Sequence, residues 1–196
     1  MADNFTILDS VSGTQTVRTT DLGSNVHIPL AVSDALPLAD VTLTRPADVT
    51  AYAAGDAVTN STSAPTALTF TNIGNKNGGS FTITSAMLIS SNQAGNALFT
   101  LELFNGSAAP TATNDNAAYN PSDSDRNNVC GAIIFPTANV IAGSSNKIYI
   151  GSLPPLPASR CNSGTSSIFG LLRVGAAYTP ISAETFVIRL FGFRDN

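Results

Sequence analysis

Nowhere does this chain carry a twelve-residue stretch with an apolar stripe of helical period and capping residues at its ends. Hydrophobic residues come instead in short alternating runs, each stopped by glycine, proline or asparagine. That pattern removes helix bundles and alternating strand–helix folds, and leaves strands that must pair with strands. Residues 41–44 alternate and end at Arg45-Pro46, residues 56–59 follow Gly55, and residues 67–73 set Leu68 and Phe70 on one face. A loop at 74–79 contains Asn77-Gly78, a turn dipeptide that predicts a hairpin. Residues 80–89 start in strict alternation at Phe81 and Ile83, then change phase to Met87 and Ile89 or to Leu88, which predicts a bulge. The clearest half-buried strand is 97–104, with Phe99, Leu101 and Leu103 facing the core and Glu102 marking the wet face. Residues 129–135, 146–151, 168–178 and 185–193 complete the series.

Eight or nine short strands with frequent turns predict an all-β fold, best solved as a jelly-roll-like β-sandwich over residues 41–196. An immunoglobulin-like sandwich ranks second, because it usually needs only about 100 residues and its strand-C tryptophan cannot exist in a chain without Trp. Residues 1–40 read as an extended N-terminal arm lying on its own domain or a neighbour. Their apolar residues are scattered, Pro29 and Pro37 interrupt them, and Pro29 demotes the strand-like run at 26–32 to an edge. The loop 107–128, with five Asn, three Asp, Pro110 and Pro121, is long enough to serve a function or to cover a neighbouring subunit. The run 153–157, with three prolines, is expected to be rigid and polyproline-like.

Composition subtracts function classes. Only 11% of the 196 residues are charged, the net charge is −4, and 22 Thr, 21 Ser and 18 Asn take the place of charge. A chain that neutralises no phosphates in bulk is not expected to bind nucleic acid. With no basic n-region before an apolar stretch, and no apolar run approaching a membrane span, it is expected to be made in a cytosol without membrane insertion. His27 is the single imidazole and sits in the arm, so a Ser-His-Asp or Cys-His mechanism has no better candidate. Cys130 and Cys161 form no CxxC; two buried thiols are the leading reading, with a disulfide as the alternative. The segment 123–128 echoes a calcium loop, but Asn128 stands where the glycine is needed and Ile134 where the last Glu is needed. Gly74, Gly78 and Gly79 lack the Lys-Ser/Thr of a phosphate loop. Among the acids only Glu102 is mid-strand, without a partner for glycoside cleavage. No catalytic, cofactor-binding or metal-ligating residue is assigned, no cofactor is expected, and the chain is read as no enzyme.

The stretch from Thr44-Arg45-Pro46 through Asp48, Tyr52 and Gly55-Asp56 to Val58 resembles the T-R-P-x-D-x-x-x-Y-x-x-G-D-x-V segment of tailed-bacteriophage structural proteins. The continuation through Leu68, Phe70, Asn72-Ile73-Gly74 and Gly78-Gly79-Ser80, and the closing Phe186 to Phe193, are similar in kind. The opening Met1-Ala2-Asp3-Asn4, with the later Thr20-Asp21-Leu22-Gly23 and Val26-His27, is similar to the start of phage virion proteins. Here Leu22 and Ile28 replace that motif's acid-Ile pair and Tyr. The resemblance implies a small β-sandwich of the virion, with no enzymatic residues to carry over.

It further implies a capsid decoration, or cement, protein on the outer capsid surface, made in the host bacterial cytoplasm. Its partners are then the major capsid protein and itself, as a symmetric oligomer expected to be a homotrimer, with residues 1–40 as a strap that adds strands to a neighbour's sheet edge. The alternative is a head-fibre or tail-fibre module that grips a host glycan through Tyr52, Tyr119 and Tyr178.

Overall fold

The computed structural model describes residues 5–9, 13–17, 19–21, 27–29, 37–137, 140–152 and 159–194. The chain divides into two compact units, Met1–Asp34 and Ala35–Asn196. In the first, β1 (Phe5–Asp9) pairs antiparallel with β2 (Gly13–Val17), and β3 (Thr19–Asp21) with β4 (His27–Pro29). His27 lies opposite Asp21 in the second hairpin. The opening residues 1–4, and the proline run 153–157, lie outside the described residues.

The second unit begins its first strand, β5 (Pro37–Thr44), inside the stretch the sequence assigns to the arm. Residues 37–40 pair with the end of the chain and are not free to strap a neighbour. Then follow β6 (Ala57–Val58), β7 (Leu68–Phe70), β8 (Ser80–Ser90), β9 (Phe99–Phe104), β10 (Val129–Phe135), β11 (Val140–Ala142), β12 (Lys147–Ile150), β13 (Ser159–Arg160), β14 (Ile168–Val174) and β15 (Thr185–Arg194). The one helical turn among the described residues is α1 (Asp123–Arg126), capped by the Ser122 hydroxyl on the Asp125 amide.

The strands pair like nested brackets. β5 pairs with β15, β7 with β14, β8 with β12 and β9 with β10, all antiparallel. Two further pairings, β15 with β8 and β14 with β9, join the brackets into sheets. One sheet has the order β11-β12-β8-β15-β5, with β13 also on β8; the other has the order β10-β9-β14-β6, with β7 also on β14. The fold is therefore an all-β sandwich of two antiparallel sheets. The 74–79 loop closes no hairpin, because β7 and β8 belong to different sheets; it carries the chain across the sandwich.

Alternation builds the core. Phe99, Leu101 and Leu103 of β9 point inward with Ile133, Phe135, Ile168 and Leu172. Leu43, Leu88, Tyr149, Phe186, Ile188 and Leu190 come from the other sheet. Phe99 ties the two layers together: its ring meets Tyr149, Phe186 and Tyr178 edge-on at centroid distances of 5.3, 5.3 and 5.5 Å. Each such pair adds about 0.5–1.5 kcal/mol beyond the area it buries.

The phase change in β8 is a bulge. Ser85 pairs with Phe191 and Ile83 with Gly192, leaving Thr84 as the extra residue. The inward set moves from Phe81 and Ile83 to Ala86 and Leu88, so Met87 and Ile89 face outward. A Cβ at Gly192 would overlap the Thr82 carbonyl oxygen, so the close approach of β15 to β8 at the bulge requires glycine.

The outer face of β9 differs from expectation: Thr100 and Phe104 are buried and Glu102 is half-buried. The loop 107–128 accounts for this. Tyr119 donates to Glu102 Oε2 at 2.6 Å, with Arg173 of β14 against its ring at 5.6 Å. The loop thus covers the chain's own sheet.

Gly192→Ala is expected to cost about 1–3 kcal/mol by overpacking against backbone, read as a lower urea midpoint at unchanged m-value. An unchanged midpoint would mean that the bulge can open without loss.

Candidate functional site

Low charge makes every buried ion conspicuous, and the described residues place theirs together at one end of the sandwich. β5 ends at Thr44, and the next residue, Arg45, turns inward until its side chain has no exposed surface. Its guanidinium meets Asp115 Oδ2 at 3.0 Å and Asp48 Oδ1 at 3.4 Å. Its Nε donates to the Tyr52 hydroxyl, which donates to Asp115 Oδ1 at 2.7 Å. Asp115 also accepts from the Thr59 amide at 2.8 Å. The guanidinium carbon lies 4.8 Å from the Tyr52 ring centre.

A second acid, Glu184, is completely buried at the turn before β15. It accepts from Tyr178 at 2.6 Å, from Ser90 at 2.6 Å and from the Ile181 amide at 3.3 Å. Asn92 donates to the Tyr178 hydroxyl at 3.0 Å and accepts from the Gly95 amide at 2.9 Å. The two clusters form one structure. Tyr52 and Tyr178 stack with centroids 6.2 Å apart and exchange two backbone hydrogen bonds, and the Arg45 amide donates to the Glu184 carbonyl.

Local sequence explains the shape. Gly55 has φ +93°, which a side chain resists, and completes a turn in which Asp56 accepts from the Ala53 amide at 2.6 Å. That turn returns Tyr52 to the sandwich end and delivers β6 to the sheet.

The electrostatics follow from burial. Desolvation alone would lower the Arg45 guanidinium, but Tyr52 and Asp115 outweigh it and hold the group above its ordinary value. The amide of Thr50, and then Arg45, hold Asp48 below the usual carboxylate range. Burial, then the bonds to their acids, push the Tyr52 and Tyr178 phenols up. The raised phenols and guanidinium keep their protons near neutral pH, and their bonds fix geometry.

The other sequence candidates are placed as follows. Tyr52 and Tyr178 are buried in this network and offer no ring to a sugar, and Tyr119 is half-buried with its hydroxyl on Glu102. Asp125, from the calcium-like segment, accepts from Ser122 and from the Thr111 amide at 3.1 Å; it pins the loop around α1. Among the described residues no group of three or more His, Cys, Asp or Glu is arranged to hold a metal ion. Cys130 and Cys161 are free thiols; burial pushes Cys130 up to about 12 and raises Cys161. An open cleft of about 370 Å³ lies beside Asn92, Asn96, Tyr178 and Thr179, but the Asn92 amide is already bonded to protein. The pairing of Arg45 with Asp115 is not visible in sequence, where the two stand 70 residues apart. The one available signal is a charge placed directly after a strand in a chain so poor in charge.

Comparison with protein-family models, with curated proteins and with solved structures finds no match to this chain.

Two outcomes test the network. Asp115→Asn leaves a buried guanidinium with only the part-exposed Asp48 as counter-charge and is expected to cost about 3 kcal/mol, measured by urea unfolding. All four tyrosines (Tyr52, Tyr119, Tyr149 and Tyr178) are raised, chiefly by burial. Below pH 10 both folded and unfolded chains keep the phenol protons; above it the unfolded chain loses them first, so stability falls as pH rises. Phenolate absorbance is therefore expected to appear together with unfolding, and a phenol titrating near pH 10 in the folded protein contradicts the burial.

Proposed function

We propose that this chain is a decoration protein of a tailed-phage capsid. It binds the outer surface of the head and stabilises contacts between major capsid protein subunits, as a symmetric oligomer. The observation that carries this reading is that the buried ionisable groups close on partners within the protein. Asp115, Glu184, Arg45 and the phenols bond internally and brace its shape, which suits an adhesive that must carry force.

The nested strand pairing adds support. Pairing first with last and inward in order rolls one long antiparallel ribbon into two sheets, and is the basis for reading the sandwich as a jelly roll, an architecture used in viral capsid domains. The Thr-, Ser- and Asn-rich composition suits hydrogen bonding between crowded identical copies without long-range repulsion. The first unit, Met1–Asp34, is the part we assign to gripping a neighbour, through strand addition to a sheet edge.

Removing residues 2–34 is expected to leave a cooperative thermal transition and to abolish co-sedimentation with undecorated heads. Full occupancy by the truncated chain would show that the sandwich alone grips the shell.

A further inference from the structure

The six-stranded sheet has an outer face of the wrong chemistry for water. In antiparallel sheets the residues between inward-facing ones are normally polar. Here the pairing register lines up Thr42, Val187, Ile89, Ile148 and Ile141 in one straight row across β5, β15, β8, β12 and β11. Their chain neighbours Leu43, Ile188, Leu88 and Tyr149 are buried in the core, so the row points outward. Ile141, at its end, is 57% exposed. The next row is Asp40, Arg189, Met87 and Ile150. Its single acid and single base sit 3.9 Å apart and are largely exposed. On the other sheet's outer face the chain's own Tyr119 loop lies over β9 and β14, while Ile134 of β10 stays exposed.

We propose that this outer face is a self-association surface, on which a second copy of the chain lies face to face across a two-fold axis running along the Thr42–Ile141 row. Charge excludes the rivals and admits this occupant. One cation and one anion on an aliphatic field give nothing for a polyanion or an anionic membrane to recognise, and they set no repulsion against a copy of the same face. The register selects the axis. Rotation about the row sets Ile89 over Ile89 and Val187 over Val187, and brings the Asp40–Arg189 row over Thr44 and Thr185 of the other copy. Like charges then stand about 14 Å apart along the strands, with about 10 Å between sheets, beyond the screening length in physiological salt. The patch measures about 19 Å across the strands and about 20 Å along β15, roughly 400 Å² in projection per copy. That is at the small end of specific interfaces, so the contact is reversible. It is isologous and closes at two. It stands independently of the capsid reading; within a decorated shell it joins neighbouring molecules, and on its own it gives a dimer.

The test is the mass distribution of the full chain by sedimentation velocity across a concentration series up to about 100 µM. The expected result is a concentration-dependent doubling of mass, weakened at least about tenfold in Ile89→Asp and in Ile141→Asp. Both side chains face outward, and an unchanged melting temperature confirms that the variants fold. In a Cys130→Ala background, Ile89→Cys is expected to be linked to its own counterpart by a short bis-maleimide, whereas Thr69→Cys, exposed on the other sheet, is not. A wild-type chain that keeps one mass throughout, association that both aspartates leave intact, or equal cross-linking at positions 89 and 69, each overturns the proposal.

Discussion

A guanidinium with no exposed surface cannot remain inside a sandwich unless its charge is answered on the spot. Asp115 answers Arg45 at 3.0 Å, and much of the molecule follows from where Asp115 must therefore stand. The loop that carries it is drawn to the end of the sandwich. From there it runs along β6, with Ala117 accepting from the Ala57 amide, and lays Tyr119 on Glu102. One sheet thereby receives cover over β9 and β14 from within the chain, while the other keeps an aliphatic row on its outer face.

Legibility in the sequence divides along a physical line. Where a residue's fate depends on neighbours in the chain, the pattern was readable. Residues 129–135 form β10, the inward set Phe99, Leu101 and Leu103 is correct, Gly55-Asp56 makes a turn, and the phase change after Ile83 is a bulge. Where it depends on what lies on top, the pattern was silent. Glu102 looks like a mark of solvent until Tyr119, remote from any periodicity, arrives to bind it. Asp115 looks like one more polar residue of a 22-residue loop. Short strands such as β11 and β13 exist because a partner edge is present, and carry too few residues to signal themselves. The outward apolar row did leave a trace. Ala86-Met87-Leu88-Ile89 and Ile148-Tyr149-Ile150 are apolar on both faces, which is how strands covered on both sides read.

Under the proposed capsid role this chemistry is mechanical. Phenols buried above their usual range, thiols raised by burial and acids closed on donors fix the sandwich's shape. In that proposal adhesion falls to surfaces whose groups are neutral, where affinity grows by repetition over many copies more than by any single strong contact.

The last strand has a consequence for how the protein is made. β15 lies between β8 and β5, inside its sheet, though it follows every other described strand in the chain. Until it arrives, β8 and β5 have no common neighbour, and one layer is two separate pieces. Chains cut before β15 therefore lack a joined sheet, so the sandwich closes only when both its early and its late strands are present.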